Sequence, residues 1–190
     1  MNYQTIYATA VVDHKSDSQI KSGLQLLMGS LFIALAAQLA IFLPFSPVPF
    51  TLQSLAIALI GGLWGPRRGV QCVLLYLTEA GLGCPFLAGG LGGPLALIGL
   101  RAGYLVGFIG QVYLMGWLYE RKGRTDTGYL LALTALTFTL PLVLGALWLS
   151  SFIGIQGAIK LGVGPFLAGE TLKAFVVVAF IKIFRRATKS

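Results

Sequence analysis

Long apolar runs free of charge alternate along this chain with short breaks rich in proline, glycine or basic residues. The first run extends from about Leu24 to Leu43 and stops where Pro44, Pro47 and Pro49 fall within six residues, which no helix continues through. A second run begins near Phe50 and ends at Trp64, and Gly65-Pro66-Arg67-Arg68-Gly69 then predicts a tight basic turn into a third, residues 70 to 83. Both hold only about 15 residues, short for a bilayer core of about 30 Å, so one or both are expected to start or finish inside a protein-lined cavity. Further spans are predicted at about 104–119, at 129–149 with a kink at Pro141, and at 165–184. Between the third and fourth, Gly81 to Gly103 carries eight glycines and two prolines yet stays apolar. It reads as an outer loop folded in over the helices, since irregular backbone at membrane depth persists only where it is buried in protein or lines a cavity. The expected fold is an all-α integral membrane protein of six helices in one domain, preceded by a polar tail over residues 1–23 rather than a cleavable leader.

Composition narrows the function. Of the 190 residues 56% are hydrophobic and 11% charged, against about a quarter charged in a soluble domain. The net charge of +8 comes from basic residues scattered between apolar runs, which form no phosphate-binding face for nucleic acid. Their distribution sets topology instead. Lys15, Lys21, Arg67, Arg68, Arg121, Lys122, Arg124, Lys182, Arg185, Arg186 and Lys189 fall on the side of both termini, whereas Arg101 and Lys160 fall on the other. By the positive-inside rule both termini are cytoplasmic. Cys72 and Cys84 lie in or near apolar segments without metal-ligand spacing, and no metal or cofactor is expected. There is no Gly-Lys-Ser/Thr phosphate loop, no GxSxG and no HExxH, so the chain is expected to be no enzyme, and uphill transport would draw on an ion gradient or a partner.

The remaining chemistry lies in a few intramembrane polar groups. Each ionisable side chain at the bilayer centre costs about 2.5 to 3.5 kcal/mol and needs a partner or a purpose. Glu170 and Lys173 stand three apart at the start of the last span and share a face, either as a ligand-facing pair or as an internal ion pair. Glu79 stands late in the third span, while Gln38, Gln53 and Gln111 can hydrogen-bond a solute or another helix. Gly61, Gly65 and Gly69, and likewise Gly99, Gly103 and Gly107, recur every four residues and predict close helix packing.

The motifs Pro47-Val48-Pro49-Phe50-Thr51-Leu52-Gln53, Gly65-Pro66-Arg67-Arg68-Gly69, Gly83-Cys84-Pro85-Phe86-Leu87-Ala88-Gly89-Gly90, Gly103-Tyr104-Leu105-Val106-Gly107-Phe108 and Pro165-Phe166-Leu167-Ala168-Gly169-Glu170-Thr171-Leu172-Lys173 together resemble the BioY family. Those are the biotin-binding S components of energy-coupling factor transporters. The resemblance implies a multi-pass protein of the bacterial plasma membrane that captures biotin from outside. It also implies partners: a transmembrane coupling subunit, two ATPases and the membrane lipid. It further implies a ligand set of Glu170, Lys173, Phe86, Ala88, Gly89, Gly90, Gly93, Tyr104, Gln53 and Arg101, and a coupling face on the first helix at Ser30 and Ala34. Two departures stand out. Arg101 replaces a small polar residue, and Glu170 replaces the usual aspartate. Biotin offers two ureido N–H donors, a carbonyl, an apolar ring and chain, and a carboxylate. Glu170 can accept from the ureido group, Lys173 can donate to an acceptor oxygen, Arg101 can face the carboxylate, and the loop around Phe86 to Gly93 can cover the apolar body. The residues alone leave open an S component for another vitamin or a biotin precursor, a channel-like or scaffold protein, and an intramembrane enzyme.

The topology is testable. In a cysteine-free background, Ser46→Cys and Ala158→Cys should react with an impermeant maleimide in intact cells, and Thr125→Cys should not. Labelling at position 125 from outside would overturn the six-span reading.

Overall fold

The computed structural model describes residues 3–121 and 127–187. Lys122, Arg124, Thr125 and Lys189 lie outside them. The order of elements is α1 (Tyr3–Gln38), β1 (Ala40–Ile41), β2 (Phe50–Thr51), α2 (Gln53–Gly81), α3 (Pro94–Ile98), α4 (Ala102–Arg121), α5 (Thr127–Gly162), a 3-10 turn (Gly164–Phe166) and α6 (Leu167–Ala187). Helix α1 begins at Tyr3, so the expected tail is helical, and it stops at Gln38 rather than Leu43. Beyond it Ala40 pairs with Thr51 and Ile41 with Phe50 in a two-strand antiparallel ladder, which satisfies the backbone that the prolines keep out of a helix.

The second and third apolar runs form one helix, α2, broken at Gly65, whose φ of 80° and ψ of 175° suit a residue without a Cβ. The break is a full reversal. The Gln53 Nε2 lies 3.0 Å from the Tyr76 hydroxyl oxygen, whereas a straight helix would part those residues by about 35 Å. The expected five-residue turn is thus a single glycine, with Pro66 starting the returning arm where its missing N–H costs nothing. Helix α5 likewise runs past its expected end at 149 and breaks at Gly154 (φ 74°, ψ 163°), while Pro141 lies within a helical stretch.

Helix α4 packs between α2 and α5. A side chain on Gly61 or Gly69 would press into Val112 of α4, and one on Gly103 or Gly107 would collide with the Leu144 carbonyl or with Pro141 of α5. The four-residue glycine spacing therefore serves internal packing. Gly99 takes no part. Around α4 the core divides into Ile33, Ile57, Tyr76 and Val112, then Met115, Phe138, Val177 and Ile181, and a third group of Tyr104, Leu149 and Phe166.

Much of the outer surface is apolar. Leu24, Met28 and Leu35 of α1, Leu147 of α5, and Phe175 and Ile183 of α6 are all exposed. Acyl chains rather than water suit such a surface. Among the described residues, Gln19–Gln38 and Thr127–Phe184 are long and apolar enough to cross a membrane. Ser30 and Ala34, the expected coupling face, point the other way. Ser30 is fully buried with its hydroxyl on the Leu27 carbonyl, and Ala34 is buried in the packing with α2. A partner reaching α1 meets Leu24, Met28, Leu31 and Leu35 instead. Ala158 is also buried, so the cysteine for the labelling test belongs at the exposed Gln156.

Close approach of α4 and α5 is checked by Gly107→Ala, which should lower detergent-state stability by about 1 to 3 kcal/mol because Pro141 backbone blocks the added methyl. Gly99→Ala, with room for a Cβ, should leave the melting temperature nearly unchanged.

Candidate functional site

A cleft with about 70 Å³ of enclosed space lies between α2, α4, α5 and α6, with residues 87 to 91 over one side and Val48-Pro49 over another. Its walls are largely apolar, as small-molecule sites are: Leu87, Leu91, Leu105, Phe108, Phe138, Leu142 and Phe166. Thr51, Gln53, Ser54, Arg101, Tyr104 and Glu170 supply the polar positions.

The centre of this polar set is Lys173. Its ammonium donates to the Thr51 carbonyl (2.7 Å), to Ser54 Oγ (2.9 Å) and to Glu170 Oε1 (2.7 Å), and it stands 4.1 Å from the centroid of the Phe50 ring. An ammonium has three N–H bonds, and all three are taken. Lys173 does not line the cleft. It sits behind Glu170, and the side chains are 5% and 12% exposed respectively. Ser54 donates in turn to the Glu170 carboxylate, 2.9 Å from Oε2 and 3.1 Å from Oε1. Glu170 is thereby fixed at the wall with lone pairs left to accept from a ligand N–H.

Gln53 and Tyr76 extend the set. Gln53 donates to the Tyr76 hydroxyl, which donates to the Phe86 carbonyl at 3.2 Å, so the cleft wall and the loop are joined through one tyrosine. Gln111 is fully buried and donates to the Ser54 carbonyl at 3.2 Å, while its Oε1 has no partner. On the opposite arm of α2, Glu79 Oε2 is also buried without a hydrogen bond. Arg101, just before α4, donates to the Ala88 carbonyl at 3.1 Å. Burial pulls its guanidinium below the ordinary arginine value, from a starting point so high that the group stays charged. Tyr104 donates to the Gly162 carbonyl at 2.8 Å and Ser46 to the Leu161 carbonyl at 2.8 Å, which pins the end of α5 over the cleft.

A family model, the BioY family, matches residues 11–190. The chain belongs to the BioY family. It is 35% identical over 156 residues to biotin transporter BioY2 of Lactococcus lactis subsp. cremoris (strain MG1363), covering 80% of this chain and 84% of that protein. It is 33% identical over 161 residues to biotin transporter BioY of Thermotoga maritima (strain ATCC 43589 / DSM 3109 / JCM 10099 / NBRC 100826 / MSB8), covering 84% and 94%. Among solved structures it resembles the S-component for biotin from an ECF-type ABC transporter, with a TM-score of 0.78, 26% identity, and coverage of 90% of this chain and 93% of the other.

Of the residues singled out from sequence, the structure brings Gln53, Ala88, Arg101, Tyr104 and Glu170 to the cleft. Lys173 stands behind it. Phe86 packs against the core and offers its carbonyl rather than its ring. Gly89, Gly90 and Gly93, all at positive φ, shape the loop and do not line the cleft. Ser54 and Thr51 are the polar groups that sequence reasoning missed. Their signal was present: three polar residues in four, Thr51, Gln53 and Ser54, stand at the head of an otherwise apolar run.

The Lys173 cluster makes a stability prediction. Lys173→Met should cost on the order of 3 to 5 kcal/mol by stranding the Glu170 carboxylate, and adding Glu170→Gln should restore most of it. Thermal melts of the purified single and double variants check this. A double variant no more stable than Lys173→Met would mean that the two side chains are not energetically paired.

Proposed function

We propose that this protein is the biotin-binding S component of an energy-coupling factor transporter, spanning the bacterial plasma membrane six times with both termini in the cytoplasm. The six spans are α1, the two arms of α2, α4, α5 and α6, and the glycine-rich loop between α2 and α4 folds in over the outer side of the cleft. The observation that carries the reading is the pairing of chemistries in one apolar cleft. Glu170, held by Ser54 and Lys173, presents a fixed acceptor, and Arg101 presents a cation from another wall. A ligand with N–H donors at one end, an apolar body and a carboxylate at the other meets both. In this reading Glu170 takes the ureido N–H, Leu87, Ala88 and Leu91 cover the thioether ring and chain, and Arg101 faces the carboxylate. Lys173 acts through Glu170. Family membership and the named relatives support the same ligand. A transmembrane coupling subunit and two ATPases would supply the energy, because the chain has no phosphate loop of its own.

Radiolabelled biotin should bind the detergent-purified protein, and failure to bind would sink the proposal. Glu170→Gln should weaken binding by tenfold to a hundredfold, the equivalent of about 1.5 to 3 kcal/mol for a charge-assisted hydrogen bond. Biotin methyl ester should compete poorly against wild type. Against Arg101→Met, ester and acid should compete alike, and a persistent preference for the acid would place the carboxylate elsewhere.

A further inference from the structure

We propose that Gln38 is a latch on the loop that roofs the cleft, a positioning residue that sets how long the bound ligand stays; this rests on the biotin reading above. The loop has fixed feet. The Cys84 N–H donates to the Glu79 carbonyl at 3.1 Å and the Gly93 N–H to the Ala80 carbonyl at 2.7 Å, so both ends hang from the last turn of α2. Between them Gly89 and Gly90 have positive φ, and Leu87 and Leu91 pair across the tip. The tip residues Leu87, Ala88 and Leu91 line the cleft. Swinging it out would open the site.

Gln38 grips this tip from outside. Its Nε2 lies 3.2 Å from the Pro85 carbonyl, 3.3 Å from that of Phe86 and 3.1 Å from that of Leu87. Its Oε1 accepts from the Gly90 N–H at 3.2 Å. Two amide hydrogens shared among three converging carbonyls, with the acceptor engaged as well, use the whole side chain on one loop. Tyr76 and Arg101 hold the same loop from the inside, through the Phe86 and Ala88 carbonyls. Those two are part of the cleft's own packing. Gln38 is exposed and all of its side-chain bonds go to this one loop, so they can break without disturbing the helix packing. It is also the last residue of α1, so the latch moves with the outer end of that helix.

The test is kinetic, because a residue that holds a roof closed acts on escape. In purified protein, Gln38→Leu should speed dissociation of radiolabelled biotin about tenfold or more, with the melting temperature of the unliganded protein unchanged. Gln38→Glu, which keeps the acceptor for Gly90 and loses both donors, should also speed dissociation, and it serves if the leucine variant folds poorly. The partly exposed Cys84 gives an independent reading beside the buried Cys72. Biotin should slow maleimide labelling of Cys84 in wild type and slow it less in the variants. A role confined to folding would instead lower the melting temperature and the yield, with dissociation from the folded fraction unchanged. Wild-type protein that binds biotin, beside variants with wild-type dissociation, overturns the latch alone. Wild-type protein that binds no biotin overturns the functional reading and the latch with it.

Discussion

An ammonium ion inside an apolar bundle is tolerable only when each of its N–H bonds has an acceptor, and the placement of Lys173 satisfies that condition from three separate elements. Its partners are the Thr51 carbonyl of β2, the Ser54 hydroxyl of α2 and the Glu170 carboxylate of its own helix. Each bond fixes something else. The Thr51 contact holds β2, the Ser54 contact sets the start of α2, and the Glu170 contact aims the carboxylate at the cleft wall. The loop ahead of α2 would be free to shift against α6 without them, and the polar wall of the cleft would shift with it.

Helix α4 supplies the second constraint. Small residues let it lie close to α2 on one side and α5 on the other, so the chain is tightly packed along its middle. Toward one end of the same helix Tyr104, Leu105 and Phe108, interleaved with Gly103 and Gly107, line the cleft together with Phe138, Leu142 and Phe166. Hydrogen bonds from Ser46 and Tyr104 to the last turn of α5 close that end without filling it.

Much of this was legible in the sequence, and the parts that were not share a cause. Uncharged runs gave away the helices, and the charge-poor background made Glu170 and Lys173 conspicuous. The short second and third runs pointed to a helix starting or finishing at a cavity, and α2 starts at the cleft wall with Gln53 and Ser54, just after Thr51 of β2. Which member of the Glu170–Lys173 pair faces the cleft was not legible, because a shared helical face says nothing of which side chain is consumed by neighbours brought in from residues 51 and 54. Ser30 and Ala34 misled for a related reason: small residues mark close packing, and the spacing is the same for packing within the chain as for packing against a partner. The reversal at Gly65 was expected as a loop, since proline and two arginines look like one, yet a single positive φ suffices.

The start of α2 carries one more consequence. Leu52 at its N-cap offers no side-chain acceptor, only the Gln53 N–H reaches Thr51 Oγ1 at 3.3 Å, and the peptide dipoles of that helix concentrate about half a positive charge at its first turn, close to the Glu170 carboxylate that Ser54 holds. With the Lys173 ammonium beside it as well, the single negative charge of Glu170 is already more than balanced. The acceptor therefore offers directional lone pairs with little net field, which suits an uncharged N–H donor and gives a cationic head group no electrostatic advantage.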